Sequence, residues 1–168
     1  SGGDRITARL AGDCAASGDP LTLEMSTQRG TLTFDVKYPD TGLRRNDCSL
    51  TITLPESFAG ALEIQNVSGE IDAAELRGTL DAVQIQTVSG GCHFPHVGAG
   101  SVDFDSVSGG LEFTGAITGR LEANTISGSI RADRVAGPIE AETVSGSVTL
   151  TVDRLDEINC ESTSGHVT

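Results

Sequence analysis

Residues Leu62-Glu63-Ile64-Gln65-Asn66-Val67-Ser68-Gly69-Glu70-Ile71 decide the fold. Leu62 and Ile64 alternate with Glu63 and Gln65, the period of a strand with one face buried. Ser68-Gly69 interrupts the alternation, and it restarts at Ile71. The interruption recurs at Ser89-Gly90, Ser108-Gly109, Ser127-Gly128, Ser145-Gly146 and Ser164-Gly165. The steps between serines are 21, 19, 19, 18 and 19 residues. Val67, Val88, Val107, Ile126 and Val144 precede five of the pairs, and Thr163 precedes the sixth. A fixed period near 20 marks an architecture of stacked repeats.

Aligning the repeats on their serines gives columns. Six residues before each serine stand Leu62, Val83, Val102, Leu121, Ile139 and Ile158; four before stand Ile64, Ile85, Phe104, Ala123, Ala141 and Cys160. Three residues after it stand Ile71, Cys92, Leu111, Ile130, Val148 and Val167. A further apolar position holds Leu76, Val97, Ile117, Val135 and Leu155, usually with a glycine close behind. No stretch carries a helical period long enough for a crossover helix. Two short strands per circuit of about 19 residues, joined by tight turns, predict an all-β parallel solenoid; the general preference of parallel connections favours a right-handed coil, with a left-handed one the alternative. Glycine at the corner is expected to supply φ > 0, and serine to bond the turn backbone. Two residues before each serine lies a polar column, Asn66, Thr87, Ser106, Thr125, Thr143 and Ser162, which parity places inside. Its hydroxyls are expected to bond one another and the corner backbone.

Residues 1–57 lack this beat and are expected to form an irregular N-terminal β cap on solenoid repeats 58–168, all one domain. Leu21–Met25, Thr31–Tyr38 and Ser49–Leu54 read as strands, with the last two paired as a hairpin across Pro39-Asp40-Thr41-Gly42. Such a cap would cover an open sheet edge. Val167-Thr168 begins another segment of the pattern. The expectation there is a chain that continues, or a last coil covered by another subunit.

Composition narrows the function. The 168 residues carry 24 Asp and Glu against 11 Lys and Arg, a net charge of −13. Nucleic acid and anionic lipid both require a basic surface, so neither is an expected partner. No apolar run approaches a membrane span. Trp is absent and there are 21 glycines, which suits a narrow coil filled by small aliphatic side chains.

The Val-Ser-Gly repeats, with the Leu62 to Ile71 segment and Leu54-Pro55 ahead of it, resemble the bacterial adhesin-like β-strand-repeat family, a domain of unknown function. The resemblance covers about residues 49–168. It implies an extracytoplasmic or membrane-tethered β-solenoid of the bacterial envelope, with any tether in a segment outside this sequence. The adhesin label is an analogy of fold, and no catalytic residues come with it.

Three sets of residues are candidates for chemistry. Asp103, Asp105, Glu122, Asn124, Glu140 and Glu142 form an acidic block on the outer side of three rungs. Stacked carboxylates repel, so their pKa values should rise, or a shared cation such as Ca²⁺ should bridge them. A solvated face that blocks lateral pairing is the preferred reading. Cys92-His93-Phe94-Pro95-His96 invites a metal, but Cys92 should point inward and His93 outward, so the plain surface reading is preferred for the histidines. Cys14 and Cys48 lie in the cap, where a disulfide would suit an oxidising compartment; two free thiols are the alternative. Asp103, Asp105 and Arg120 could be fitted to a carbohydrate-active site, but the short turns build no cleft. The expected function is therefore a noncatalytic extracytoplasmic envelope scaffold or adhesin-like interaction module. Its expected partner is an envelope protein or glycan. A structural element that self-assembles through its coil ends is the alternative, and a carbohydrate-active enzyme the weaker one.

Overall fold

A computed structural model describes residues 7–13, 15–16, 19–20, 22–28, 31–37, 47–53 and 58–168, apart from 75 and 155. Among the described residues every regular element is a strand. The first six are β1 (Thr7–Asp13), β2 (Ala15–Ala16), β3 (Asp19–Pro20), β4 (Thr22–Gln28), β5 (Thr31–Lys37) and β6 (Asp47–Thr53). The repeats supply β7 (Ala61–Ser68), β8 (Ile71–Asp72), β9 (Gly78–Ser89), β10 (Cys92–Phe94), β11 (Val97–Ser108) and β12 (Leu111–Phe113). They continue with β13 (Leu121–Ser127), β14 (Ile130–Val135), β15 (Ile139–Ser145), β16 (Val148–Val152) and β17 (Ile158–Ser164).

Alternate strands build two sheets. The larger runs β17-β15-β13-β11-β9-β7-β5-β4, and the smaller β16-β14-β12-β10-β8. From β7 onward all pairing within them is parallel and joins equivalent repeat positions, as in Leu62 to Val83, Val83 to Val102 and Val102 to Leu121. A third line of parallel bridges joins Ala99, Ile117 and Val135. The chain is thus a parallel β-solenoid whose coil averages about 19 residues. The coil from Ser127 to Ser145 departs locally: β14 and β16 shift register between Ala132 and Val135, where Arg134 takes φ 60°.

The apolar columns fill the coil. Phe94 and Phe113 stack with ring centroids 5.6 Å apart. Ala132 follows in the same column, and Phe104 is followed by Ala123 in its own; all are fully buried. Alanine follows Phe113 in one column and Phe104 in the other, which lets a narrow interior close-pack.

Two expectations need correction. Thr31–Lys37 does not pair with β6. It pairs antiparallel with β4 and parallel with β7, while β6 pairs antiparallel with β1. Two residues separate β4 from β5 and nine separate β5 from β6, so the nearer partner closes a shorter loop. The register also aligns Leu32 and Phe34 with Leu62 and Ile64, continuing the repeat's own alternation.

The second expectation is the positive φ of the corner glycines. Among the corner glycines only Gly69 and Gly90 have positive φ. Stacking is the constraint that the later corners share. A Cβ on Gly109 would overlap the carbonyl oxygen of Gly90, one on Gly128 that of Gly109, and one on Gly146 that of Gly128. From Gly90 to Gly165 each corner glycine sits so close over the carbonyl below that no side chain fits.

Candidate functional site

The outer face of the larger sheet carries three parallel columns. Outermost from the corner are Glu63, Gln84, Asp103, Glu122, Glu140 and Asn159. Next come Gln65, Gln86, Asp105, Asn124, Glu142 and Glu161. Beside the corner stand Val67, Val88, Val107, Ile126, Val144 and Thr163. Strand register fixes each column, since Asp103 pairs with Glu122 and Glu122 with Glu140, while Asp105 pairs with Asn124 and Asn124 with Glu142. The acidic block read from the sequence is therefore assembled on one face.

Its first column holds its own cation. Arg120 Nη2 lies 2.8 Å from both Glu122 Oε2 and Glu140 Oε2. Asp103 has its carboxyl raised above the ordinary value, first by burial and then by Asp105 and Glu122, against the opposing pull of Arg120. In the second column Asn124 donates to Asp105 at 3.3 Å, and no ion pair to Asp105, Glu142 or Glu161 is present among the described residues. Nowhere among the described residues do three or more His, Cys, Asp or Glu side chains converge as a metal site. A sheet face sets its carboxylates side by side, and cation coordination needs oxygens that converge.

Beneath this face runs the inner polar column. Thr125 Oγ1 donates to the Gly109 carbonyl, Thr143 Oγ1 to that of Gly128, and Ser162 Oγ to that of Gly146, at 3.0–3.2 Å. The acceptors are the carbonyls that the glycine stack covers. These three reach back to the preceding corner, whereas Thr87 Oγ1 donates to the Ser89 carbonyl of its own corner at 3.3 Å, so the column satisfies backbone and its hydroxyls do not bond one another. Ser106 Oγ is buried without a partner. Ser89, Ser108, Ser127, Ser145 and Ser164 are exposed and make no side-chain hydrogen bond among the described residues. The side chain of Ser68 lies outside the described set. The turn-bonding role expected of the corner serines belongs to the column two residues earlier.

The corner residues before the serines form the feature that sequence reasoning passed over. Val67, Val88, Val107, Ile126 and Val144 are 47–54% exposed, a continuous β-branched ridge. Parity could have found it, because a residue next to an inward position must point outward. Between this ridge and the second polar column lies an open trough of about 690 Å³, floored by Thr87, Thr125 and Thr143.

The remaining candidates separate. Cys92 is buried and its thiol is pushed up to about 12, by burial and then by Glu70. His93 lies on the outer face of the smaller sheet, with Nδ1 3.5 Å from Asp72 and Nε2 3.9 Å from Glu112. The two share no site. Cys92 and Cys160 are free thiols. Cys14, and with it the proposed bridge to Cys48, lies outside the described residues. Arg120 is engaged with Glu122 and Glu140, and Asp103 and Asp105 stand in adjacent columns of one open face.

The Toastrack DUF4097 family description matches residues 7–168, and the chain belongs to that family, whose domain has no established function. The match takes in the N-terminal strands as well as the repeats. No curated protein and no solved structure matches the chain.

Proposed function

We propose that this member of the Toastrack family is a noncatalytic interaction module of the bacterial envelope, working outside the cytoplasm. On this reading the solenoid is a stiff frame, and the outer face of its larger sheet holds an envelope protein or glycan in adhesin-like fashion. One observation carries the reading: the β-branched ridge stays half-exposed on five successive rungs. Contiguous apolar surface on a soluble domain is costly unless something covers it, and such patches mark contact sites. The rungs are tied by continuous parallel ladders, so the ridge is rigid before any partner arrives.

A photo-crosslinking amino acid at position Val107, with a control at Arg131 on the smaller sheet, tests this in cells of the source organism. Adducts to an envelope component from the first position and not the second support the reading. Adducts from neither position, or a chain confined to the cytoplasm, overturn it.

A further inference from the structure

We infer that the trough beside the β-branched ridge is a docking groove for a cationic amphipathic helix lying across the rungs, parallel to the stacking direction. This deepens the module reading and rests on it. Two observations choose the occupant.

The first is charge. The polar column flanking the trough carries Asp105, Glu142 and Glu161, for which no ion pair is present among the described residues, whereas the column beyond it has Arg120. The side of the face nearest the ridge is thus the uncompensated one. An apolar stripe beside a strip of carboxylates that lack an ion pair complements a surface with an apolar stripe flanked by Lys or Arg. The same arrangement disfavours a second copy of this chain. Two such faces would bring carboxylate columns together, on a chain already carrying −13.

The second is spacing. Rungs repeat about every 4.8 Å, so the ridge from Val67 to Val144 spans roughly 19 Å. An α-helix rises about 5.4 Å per turn, and about 13 residues cover that span. One side chain per turn then drifts by only about 0.6 Å per rung, about half a rung over the whole ridge. An extended strand places same-face side chains about 6.6 Å apart and falls out of step within two rungs. It also gains no backbone pairing here, because the trough crosses the strands and does not follow a sheet edge. A polyproline helix, at about 9.3 Å per turn, would match every second rung. Grooves that hold one are lined by aromatic rings, and this lining has none. An amphipathic helix laying its apolar face into the groove is what remains.

The probe is a synthetic peptide of about 18 residues with Leu at i, i+3, i+4 and i+7 and Lys along one flank. It is titrated against the full chain by fluorescence anisotropy. Three controls are a scrambled peptide of equal composition, a peptide with Glu for Lys, and a proline-rich cationic peptide. The expected result is saturable binding, at least about tenfold weaker for every control. Val107→Lys with Ile126→Lys weakens it at least about tenfold, and Asp105→Asn with Glu142→Gln weakens it about threefold to tenfold and flattens its salt dependence. Val107→Ser with Ile126→Ser replaces the lysine pair if that pair fails to fold. Equal binding of the scrambled peptide overturns the proposal in favour of charge alone. Preference for the proline-rich peptide overturns it in favour of an extended ligand. A dimer that Val107→Lys dissolves overturns it in favour of a second copy. If position Val107 cross-links an envelope component in cells while the helical peptide fails to bind, the helix is refuted and the module stands.

Discussion

The interior rungs and the last rung carry the same pattern and live in different surroundings. Ile139 and Ile158 occupy one column, yet Ile139 is 2% exposed and Ile158 41%. Val148 is fully buried, and Val167 at the equivalent position is half-exposed. Ala141 is buried where Cys160, one rung on, is only partly so. Nothing in the residues explains the contrast; the neighbouring rung does. In a solenoid each coil buries the next, so burial belongs to the pair of rungs and not to the side chain. Stability should therefore fall away toward β17, and substitutions at matched columns should cost less there.

The largest expected difference is in the core. Phe113→Ala removes a ring that stacks on Phe94 and has a rung on each side, and should cost about 3–5 kcal/mol. Ile158→Ala should cost about 1 kcal/mol or less, because much of that side chain already meets water. Urea unfolding measures both. Equal costs would mean that β17 is covered in solution, which would favour assembly through coil ends.

Next comes the glycine stack. Gly128→Ala forces a Cβ into the Gly109 carbonyl beneath a rung that is held from above, and should cost about 1–3 kcal/mol. Gly165→Ala meets the Gly146 carbonyl in the same way, but among the described residues β17 is the edge strand of its sheet and can lift. Its cost should be visibly smaller. Gly91 has nothing near its Cβ position, so Gly91→Ala should lie within about 1 kcal/mol of the parent. Thermal melts rank the three. A Gly165→Ala as damaging as Gly128→Ala would show that the last rung is as constrained as the interior.

The inner hydroxyls follow. Thr125→Val strips the Gly109 carbonyl of its donor inside the stack, at about 1–2 kcal/mol. Ser162→Ala does the same to the Gly146 carbonyl, but beside the open rung, where water can replace the lost donor, so the cost should be lower. Ser106→Ala removes a hydroxyl that has no partner and should be close to neutral. Denaturant midpoints separate these cases, and a costly Ser106→Ala would reveal a bond to the corner backbone in solution.

Much of this is legible in the sequence alone. The serine beat sets the coil length, and parity sorts Leu62, Ile64 and their equivalents inward from Glu63 and Gln65. The acidic block follows from the same columns. Three things were not legible, each for a physical reason. The partner of Thr31–Lys37 depends on competition between β4, β6 and β7, and strand propensity is blind to that choice. The corner glycines are required by vertical contact between coils, a distance that one strand's sequence does not contain. Arg120 stands in a turn one position before Leu121 starts β13, and only a long side chain folded back over the sheet brings it to Glu122 and Glu140.

The smallest expected effect concerns the charge on this face. Asp103 sits in β11 with a rung on each side, paired to Gln84 and Glu122. Burial is the first cause of its raised pKa, with Asp105 and Glu122 adding to it and Arg120 opposing. A carboxyl raised in the fold is protonated there at a pH where the unfolded chain has already released its proton. Its contribution to stability is thus fully present below the ordinary value of 3.8 and is lost as pH rises through the folded value. At pH 7 the ionised Asp103 works against the fold. Asp103→Asn should then raise stability at pH 7 by a few tenths of a kcal/mol, up to about 1, and give no gain at about pH 3. Melts at the two pH values check the sign. Added salt should shrink the gain without abolishing it, since salt screens Asp105 and Glu122 but leaves burial in place. Asn159 holds the same column on β17, but it is exposed and has a paired strand on one side only, where it faces Glu140. Asn159→Asp should accordingly lose less than Asp103→Asn gains. Millimolar Ca²⁺ that stabilises the parent and not Asp103→Asn would reverse this account, because the carboxylate would then be held ionised by a shared cation instead of opposing the fold.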